Sequence, residues 1–277
     1  MTTRIAPTPS GYLHTGNAFN FLLAEALALR HNGALRLRID DLDAPRARPE
    51  YIADVFETLR WLGIHWQAGP RDAADHHLRH SQQQRLPRYA ALTEQLVQTG
   101  LVFACECSRR TVLAQSPDGQ YAGACIHKRL PLDTPGTSLR IRTPEGKAIV
   151  AYNDALTGPQ HTDLYTHNRH FIIRRADGPP AYHIASLCDD VDAGITHIVR
   201  GLDLRLSTAA QLYLARLVGA ESFLETSFYH HPLLSNPGGA KLSKSAGSQS
   251  LKALRESGMA GSAVRTMFEE WRRAWDE

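Results

Sequence analysis

Residues 4–17 read RIAPTPSGYLHTGN, and the way this stretch divides decides the fold. RIAP leans apolar and reads as a short strand, ended by PTPSG, where proline and glycine interrupt regular structure. From Gly16 onward, GNAFNFLLAEALALRHNG repeats apolar residues at helical spacing, and NG stops the helix. A histidine set just ahead of that helix start is no ordinary core residue. It suits a floor for phosphates, since a helix N-terminus carries unpaired N–H groups and partial positive charge.

Working outward, ALRLRID alternates and reads as a second strand. DLDAPRARPEYIADVFETLRWLGI is a loop and then a helix, with Pro49 and Glu50 fitted to its first turn and Gly63 to its stop. Strand–helix–strand–helix order predicts a parallel α/β sheet of Rossmann type with crossover helices. RLPRYAALTEQLVQTGLVFAC predicts a helix leading into a strand. From Cys105 to Tyr165 the texture shifts to glycine, proline and threonine, and TSLRIRTPEGKAIVAYND reads as antiparallel strands. The expected organisation is a catalytic domain in two parts, 1–104 and 166–235, interrupted by a smaller α+β insert over 105–165. The tail, 236–277, holds KLSKS and one or two short helices. HFIIRRADGPPAYHIASLCDDV is a strand and a helix, ITHIVRG a buried strand, and LSTAAQLYLARLVGA a helix capped by Ser207 or Thr208.

The 277 residues allow a substantial core. A net charge of +3 permits nucleic-acid binding without demanding it. No apolar run approaches the roughly 20 residues of a membrane helix, and MTTRIAPTPS lacks a signal-peptide core. Four cysteines, three of them bunched, argue against a disulfide scaffold. The expectation is a cytoplasmic monomer.

Ligands of open α/β sheets sit beyond the carboxyl ends of the strands, where HTGN falls. Gly16 leaves room for a ligand ring against the backbone, and His14 can donate to a phosphate oxygen. KLSKS, at residues 241–245, brings two lysines on a glycine-rich segment. Such a loop can close on a triphosphate and stabilise a transferring group. Each motif alone is a short match; together they resemble the HIGH and KMSKS signature pair of class I aminoacyl-tRNA synthetases. LRIDDLD, LRWLGIHW, AYHIASLCDDVDAGITHIVRG and HHPLLSNPGGAKLSKS resemble, in order, the catalytic domain of glutamyl-tRNA synthetases, over about residues 4–258.

The chain ends about 30 residues after KLSKS, so it is similar to the truncated branch of that family, the glutamyl-queuosine tRNA(Asp) synthetases, which lack an anticodon-binding domain. The resemblance implies activation of glutamate with ATP, without tRNA, and transfer of the glutamyl group to the queuosine base in the anticodon stem-loop of tRNA(Asp). It implies that His14, Gly16, Asn17, Lys241 and Lys244 meet ATP, the adenine near Gly16. His14, Lys241 and Lys244 would neutralise charge growing on the α-phosphate, with Mg²⁺ on the phosphates. For glutamate it implies Arg4, Ala6, Thr8, Asp40, Tyr182 and Arg200, the arginines gripping carboxylates by their planar forks. It also implies a structural zinc held by Cys105, Cys107, Tyr121 and Cys125. His127 is a chemically easier fourth ligand than a tyrosine, whose phenol must ionise.

Two positions depart from the family pattern. Asp40 stands where the family has glutamate, so the carboxylate meant for the substrate ammonium is one methylene shorter. Thr8 replaces a serine. A different amino acid or RNA acceptor, or an inactive tRNA-binding paralogue, is therefore an alternative reading.

Overall fold

The computed structural model describes residues 1–116, 119–234 and 250–276. Among them nine strands run in chain order: β1 (Thr2–Ile5), β2 (Ala34–Leu37), β3 (Val102–Cys105), β4 (Ser138–Ile141), β5 (Ile149–Asp154), β6 (Gly158–Asp163), β7 (Ile172–Arg174), β8 (His197–Gly201) and β9 (Ser227–His231). The chain divides into two compact units. The first comprises Met1–Gln84, Ile195–Asp203 and Ser227–Glu277, and the second Arg85–Gly194 and Leu204–Thr226.

In the first unit, β1 and β2 pair in parallel from Thr2 opposite Ala34 to Ile5 opposite Leu37. Helix α1 (Thr15–Arg30) makes the crossover between them. β8 and β9 are likewise parallel, and Thr196 N–H donates to Thr2 O at 3.0 Å, laying β8 beside β1. The parallel pairing expected from the strand–helix order is thus present. α1 buries Ala18, Phe19, Phe21, Leu22, Ala24 and Ala28, each large apolar side chain worth about 1.5–3 kcal/mol on transfer from water. It stops where Asn32 turns left-handed, at φ 47°. Helix α2 (Pro49–Trp61) starts with proline in its first turn and packs Val55, Phe56 and Leu59 into the same core.

Two helices follow Ser250. The shorter, Leu251–Glu256, sends Arg255 to Asp54 at 2.7 Å and Glu57 at 2.9 Å. The longer, Gly261–Asp276, has the 16 residues of α1 rather than the short span expected. Val264, Phe268 and Trp271, at helical spacing, seat it on α1.

The second unit carries an antiparallel sheet in the order β3-β4-β7 and the antiparallel hairpin of β5 and β6. Helices Leu86–Gln98, Tyr182–Asp192 and Arg205–Val218 pack against one another. Fully buried Tyr89 donates its hydroxyl to Asp189 at 2.9 Å, and Arg85 Nε reaches the same carboxylate at 2.6 Å. The helix starting at Tyr182 is held through these contacts. The third helix begins earlier than expected. A 3₁₀ turn, Leu202–Leu204, leads straight into it, so the cap is Leu204, and Thr208 Oγ1 bonds back to Leu204 O at 3.3 Å from inside the helix. Neither Ser207 nor Thr208 is the cap.

Candidate functional site

His14 is the N-cap of α1, in extended backbone conformation. Its Nδ1 accepts the Gly16 N–H at 3.1 Å, its own N–H donates to Asn17 Oδ1 at 3.0 Å, and its carbonyl accepts from Asn17 N–H at 2.9 Å. An Nδ1 that accepts has no proton, so the neutral ring carries its proton on Nε2. The local bonding thereby assigns the donor expected at residue 14 to Nε2. It also differs from the expectation for the helix start, because the Gly16 amide is satisfied by the imidazole rather than left for a ligand.

Gly16 fits its place sterically. A Cβ there would lie 3.1 Å from His14 Cε1 and Nδ1, inside ordinary contact distance, and 3.8 Å from Leu234 Cδ1. Beyond the turn, Leu251 N–H donates to Leu13 O at 2.7 Å, and His14 and Ser250 form an antiparallel bridge. Leu234 and Ser250 are the described residues that border 235–249. Lys241 and Lys244 lie outside the described residues.

The remaining first-unit residues gather at the carboxyl ends of its parallel strands. Arg4 lies on β1 and Arg200 on β8, only 5% and 2% exposed. Arg4 Nη1 approaches Val199 O at 3.5 Å, and the Arg200 guanidinium lies 5.8 Å from the Phe228 ring centre. Ala6 and Thr8 follow β1. Asp40 follows β2, its N–H donating to Pro7 O at 2.9 Å, which ties the loops after the two strands together.

The Asp40 carboxylate, 8% exposed, is clamped by Arg38: Nε donates to one oxygen at 2.6 Å and Nη2 to the other at 3.2 Å. Gln82 Nε2 lies 3.5 Å from the first oxygen. Arg38 was not singled out from the sequence, although its place two residues before Asp40 could have shown that both side chains share a face.

Asp41, also unremarked in the sequence, anchors the neighbouring segment. Its carboxylate accepts from Ser81 Oγ at 2.6 Å and Gln82 N–H at 2.7 Å, with His76 Nε2 at 3.1 Å. Burial pushes its pKa up; the bonds from His76, Ser81 and Gln82 outweigh that and hold it below the ordinary aspartate value.

On the second unit, Tyr182 is the first residue of its helix and 39% exposed, its ring edge-on to His183. Cys105, Cys107 and Cys125 converge with their sulfurs within 4.8 Å of one another. Cys107 Sγ and Cys125 Sγ are 3.6 Å apart, and the Tyr121 hydroxyl lies 3.4 Å from Cys105 Sγ. Tetrahedral zinc with bonds of about 2.3 Å sets sulfurs about 3.8 Å apart, so this constellation fits the ion. Tyr121 is buried and its oxygen accepts the Cys125 N–H at 2.8 Å, whereas His127 is exposed. The geometry favours the phenol as fourth ligand. In the metal-free site, burial and the adjacent sulfurs push the Tyr121 phenol up and the Cys107 thiol up to about 12. For Cys105, burial is outweighed by hydrogen bonds from Tyr121 and Cys107 and by the Arg140 charge, and its thiol falls below the ordinary value. A bound dication reverses the upward shifts.

Over residues 1–275 the chain matches the family described as tRNA synthetases class I (E and Q), catalytic domain. It is 35% identical to the Glutamyl-Q tRNA(Asp) synthetase of Nitratidesulfovibrio vulgaris, over 94% of this chain and 83% of that protein. It is 37% identical to that of Geobacter sulfurreducens, over 91% of this chain and 78% of the relative. Among solved structures, the glutamate-tRNA synthetase of Elizabethkingia anophelis superposes with a TM-score of 0.74 at 26% identity. The match takes in 88% of this chain and 52% of that one, so the chain spans about half the length of that structure.

Proposed function

We propose, from the premise that the chain belongs to the class I tRNA synthetase catalytic family for glutamate and glutamine, that it is a ligase which activates glutamate with ATP and passes the glutamyl group to queuosine in tRNA(Asp). That is the activity carried by the names of relatives matched over 83% and 78% of their length.

One observation carries the site assignment: both borders of the segment holding Lys241 and Lys244 abut the HTGN turn. Leu234 lies against Gly16, and Ser250 bridges to His14. Lys244 stands six positions before Ser250, a reach of no more than about 22 Å. That tether supports the reading that Lys244 meets the same phosphates as His14.

In the activation step a carboxylate oxygen of glutamate attacks the α-phosphorus of ATP in line, and the bond to pyrophosphate breaks. His14 Nε2–H, Lys241 and Lys244 meet the negative charge that builds on the phosphate oxygens. Mg²⁺, when bound to the phosphates, shares that load. Arg4 and Arg200 hold carboxylate oxygens, Asp40 holds the ammonium, and Ala6 and Thr8 line the amino acid. A hydroxyl of the acceptor nucleoside then attacks the carbonyl of the mixed anhydride and AMP leaves. Cys105, Cys107, Tyr121 and Cys125 hold a structural zinc ion, which fixes the loop around them.

The test is glutamate-dependent ATP–pyrophosphate exchange without RNA, followed by transfer of labelled glutamate to tRNA(Asp) with and without queuosine. Exchange with glutamate and transfer confined to the queuosine-bearing tRNA are expected. Exchange driven only by a different amino acid, or transfer to the queuosine-free tRNA, overturns the assignment.

A further inference from the structure

Arg140 lies on β4 opposite Phe103 of β3, and its side chain is buried. Its guanidinium carbon sits 4.1 Å from the centre of the Tyr121 ring, close range for a cation over an aromatic face. Nη1 donates to His170 O at 3.0 Å, while Nε is buried with no hydrogen-bond partner. No carboxylate among the described residues forms an ion pair with it. A buried guanidinium without an anion is costly, so the charge must be balanced by something else close by.

The nearest candidate is the thiolate cluster. Three thiolates and a phenolate around a divalent metal sum to a net charge of about −2. The ring under Arg140 belongs to the oxygen donor of that set, whose hydroxyl reaches Cys105 Sγ on one side and accepts the Cys125 N–H on the other. Phe103 stacks on the same ring, with centroids 6.2 Å apart.

We propose that Arg140 is the outer-shell cation of this metal site. Lying over the Tyr121 ring, it balances the surplus negative charge of a three-thiolate, one-phenolate set and so selects a phenol over an imidazole as the fourth ligand. It touches no metal; it is a positioning residue that acts chiefly through Tyr121, its charge being felt at Cys105 as well. The inference rests on the reading that the cluster binds zinc.

The experiment is a double-mutant cycle on the full chain, stripped of metal and titrated with Zn²⁺ and Co²⁺ against a chromophoric chelator. Outer-shell partners typically change metal affinity by about 10–100-fold, and Arg140→Gln is expected to weaken binding by that much while Tyr121 is present. In a Tyr121→His background the ligand set carries one negative charge fewer, and the same substitution should cost about threefold or less. Thermal unfolding with chelator present reports whether each metal-free chain is folded. Should Arg140→Gln not fold, Arg140→Lys carries the cycle, and its smaller loss must likewise vanish beside Tyr121→His. Equal losses in the two backgrounds, or no loss beside Tyr121, overturn the inference and leave Arg140 a packing residue. A wild-type chain that takes up no stoichiometric metal overturns the zinc reading itself, an outcome seen before any variant is compared.

Discussion

Replacing Gly16 by alanine separates helix stability from chemistry at the same residue. The new Cβ would stand 3.1 Å from two ring atoms of His14, against 3.4–4 Å for ordinary contact. The imidazole must move by a few tenths of an ångström, and its 3.1 Å bond from the Gly16 N–H is the first to yield. Losing that bond costs about 1 kcal/mol, and alanine in place of glycine returns up to about 1 kcal/mol of helix propensity. The two offset each other, so the melting temperature should stay within about 3 °C of wild type. Activity has no such offset. Freed from the amide, the ring no longer fixes its proton on Nε2, and a displacement approaching an ångström at a reacting centre can cost about 100-fold. In glutamate-dependent ATP–pyrophosphate exchange, kcat is expected to fall by about 10–100-fold while KM for glutamate holds. A variant exchanging within twofold of wild type refutes the role given to the His14–Gly16 contact. One that loses activity only because it unfolds refutes the claim that the effect is local.

Asp40→Asn removes the charge that meets the substrate ammonium and leaves Arg38 unbalanced; kcat/KM for glutamate should drop more than about tenfold with KM for ATP little changed. Asp40→Glu should stay within about tenfold of wild type, measured in the same exchange assay. Asp41→Asn should lower the unfolding free energy at neutral pH by about 2–3 kcal/mol, the worth of hydrogen bonds to a buried charge. Because the folded-state value of Asp41 lies below the ordinary 3.8, its contribution is complete above that pH and is lost as the pH falls through the depressed value. The gap between wild type and variant in urea unfolding should therefore be constant above about pH 5 and close in stronger acid.

The frame of the first unit was legible because local signals agreed. Proline and glycine ended β1, apolar spacing marked α1, and proline opened α2, each where the structure has it. β9 was not, because SFYHH is short, has no alternation and pairs with β8, about 30 residues away in sequence. The cap of Arg205–Val218 was misplaced because a 3₁₀ turn extends the helix backward past the favoured hydroxyls. At the site, residue types were readable and their partners were not. The Ser250 bridge depends on a contact across 236 positions, and Arg140 on Tyr121 on the register of β3 with β4. Each is fixed by tertiary packing, which local pattern does not encode.

Histidine is a weak choice for an N-cap, a position favoured by Asn, Asp, Ser and Thr. Its presence at residue 14 in a complete capping arrangement means that the side chain is retained for something other than capping. Nδ1 does the structural work by accepting the Gly16 N–H, which leaves the ring proton on Nε2. His14→Asn divides these roles, since an asparagine oxygen caps at least as well but offers no donor at the Nε2 position. The variant should fold with a stability equal to wild type or about 0.5–1 kcal/mol higher. Its exchange rate should fall by about 100–1000-fold, the loss seen when one donor aimed at developing charge is removed. Stability and activity falling together would mean that the imidazole is a packing element of the turn. Both remaining unchanged would mean that the phosphates are met elsewhere, and that the convergence of Leu234 and Ser250 on this turn serves the fold alone.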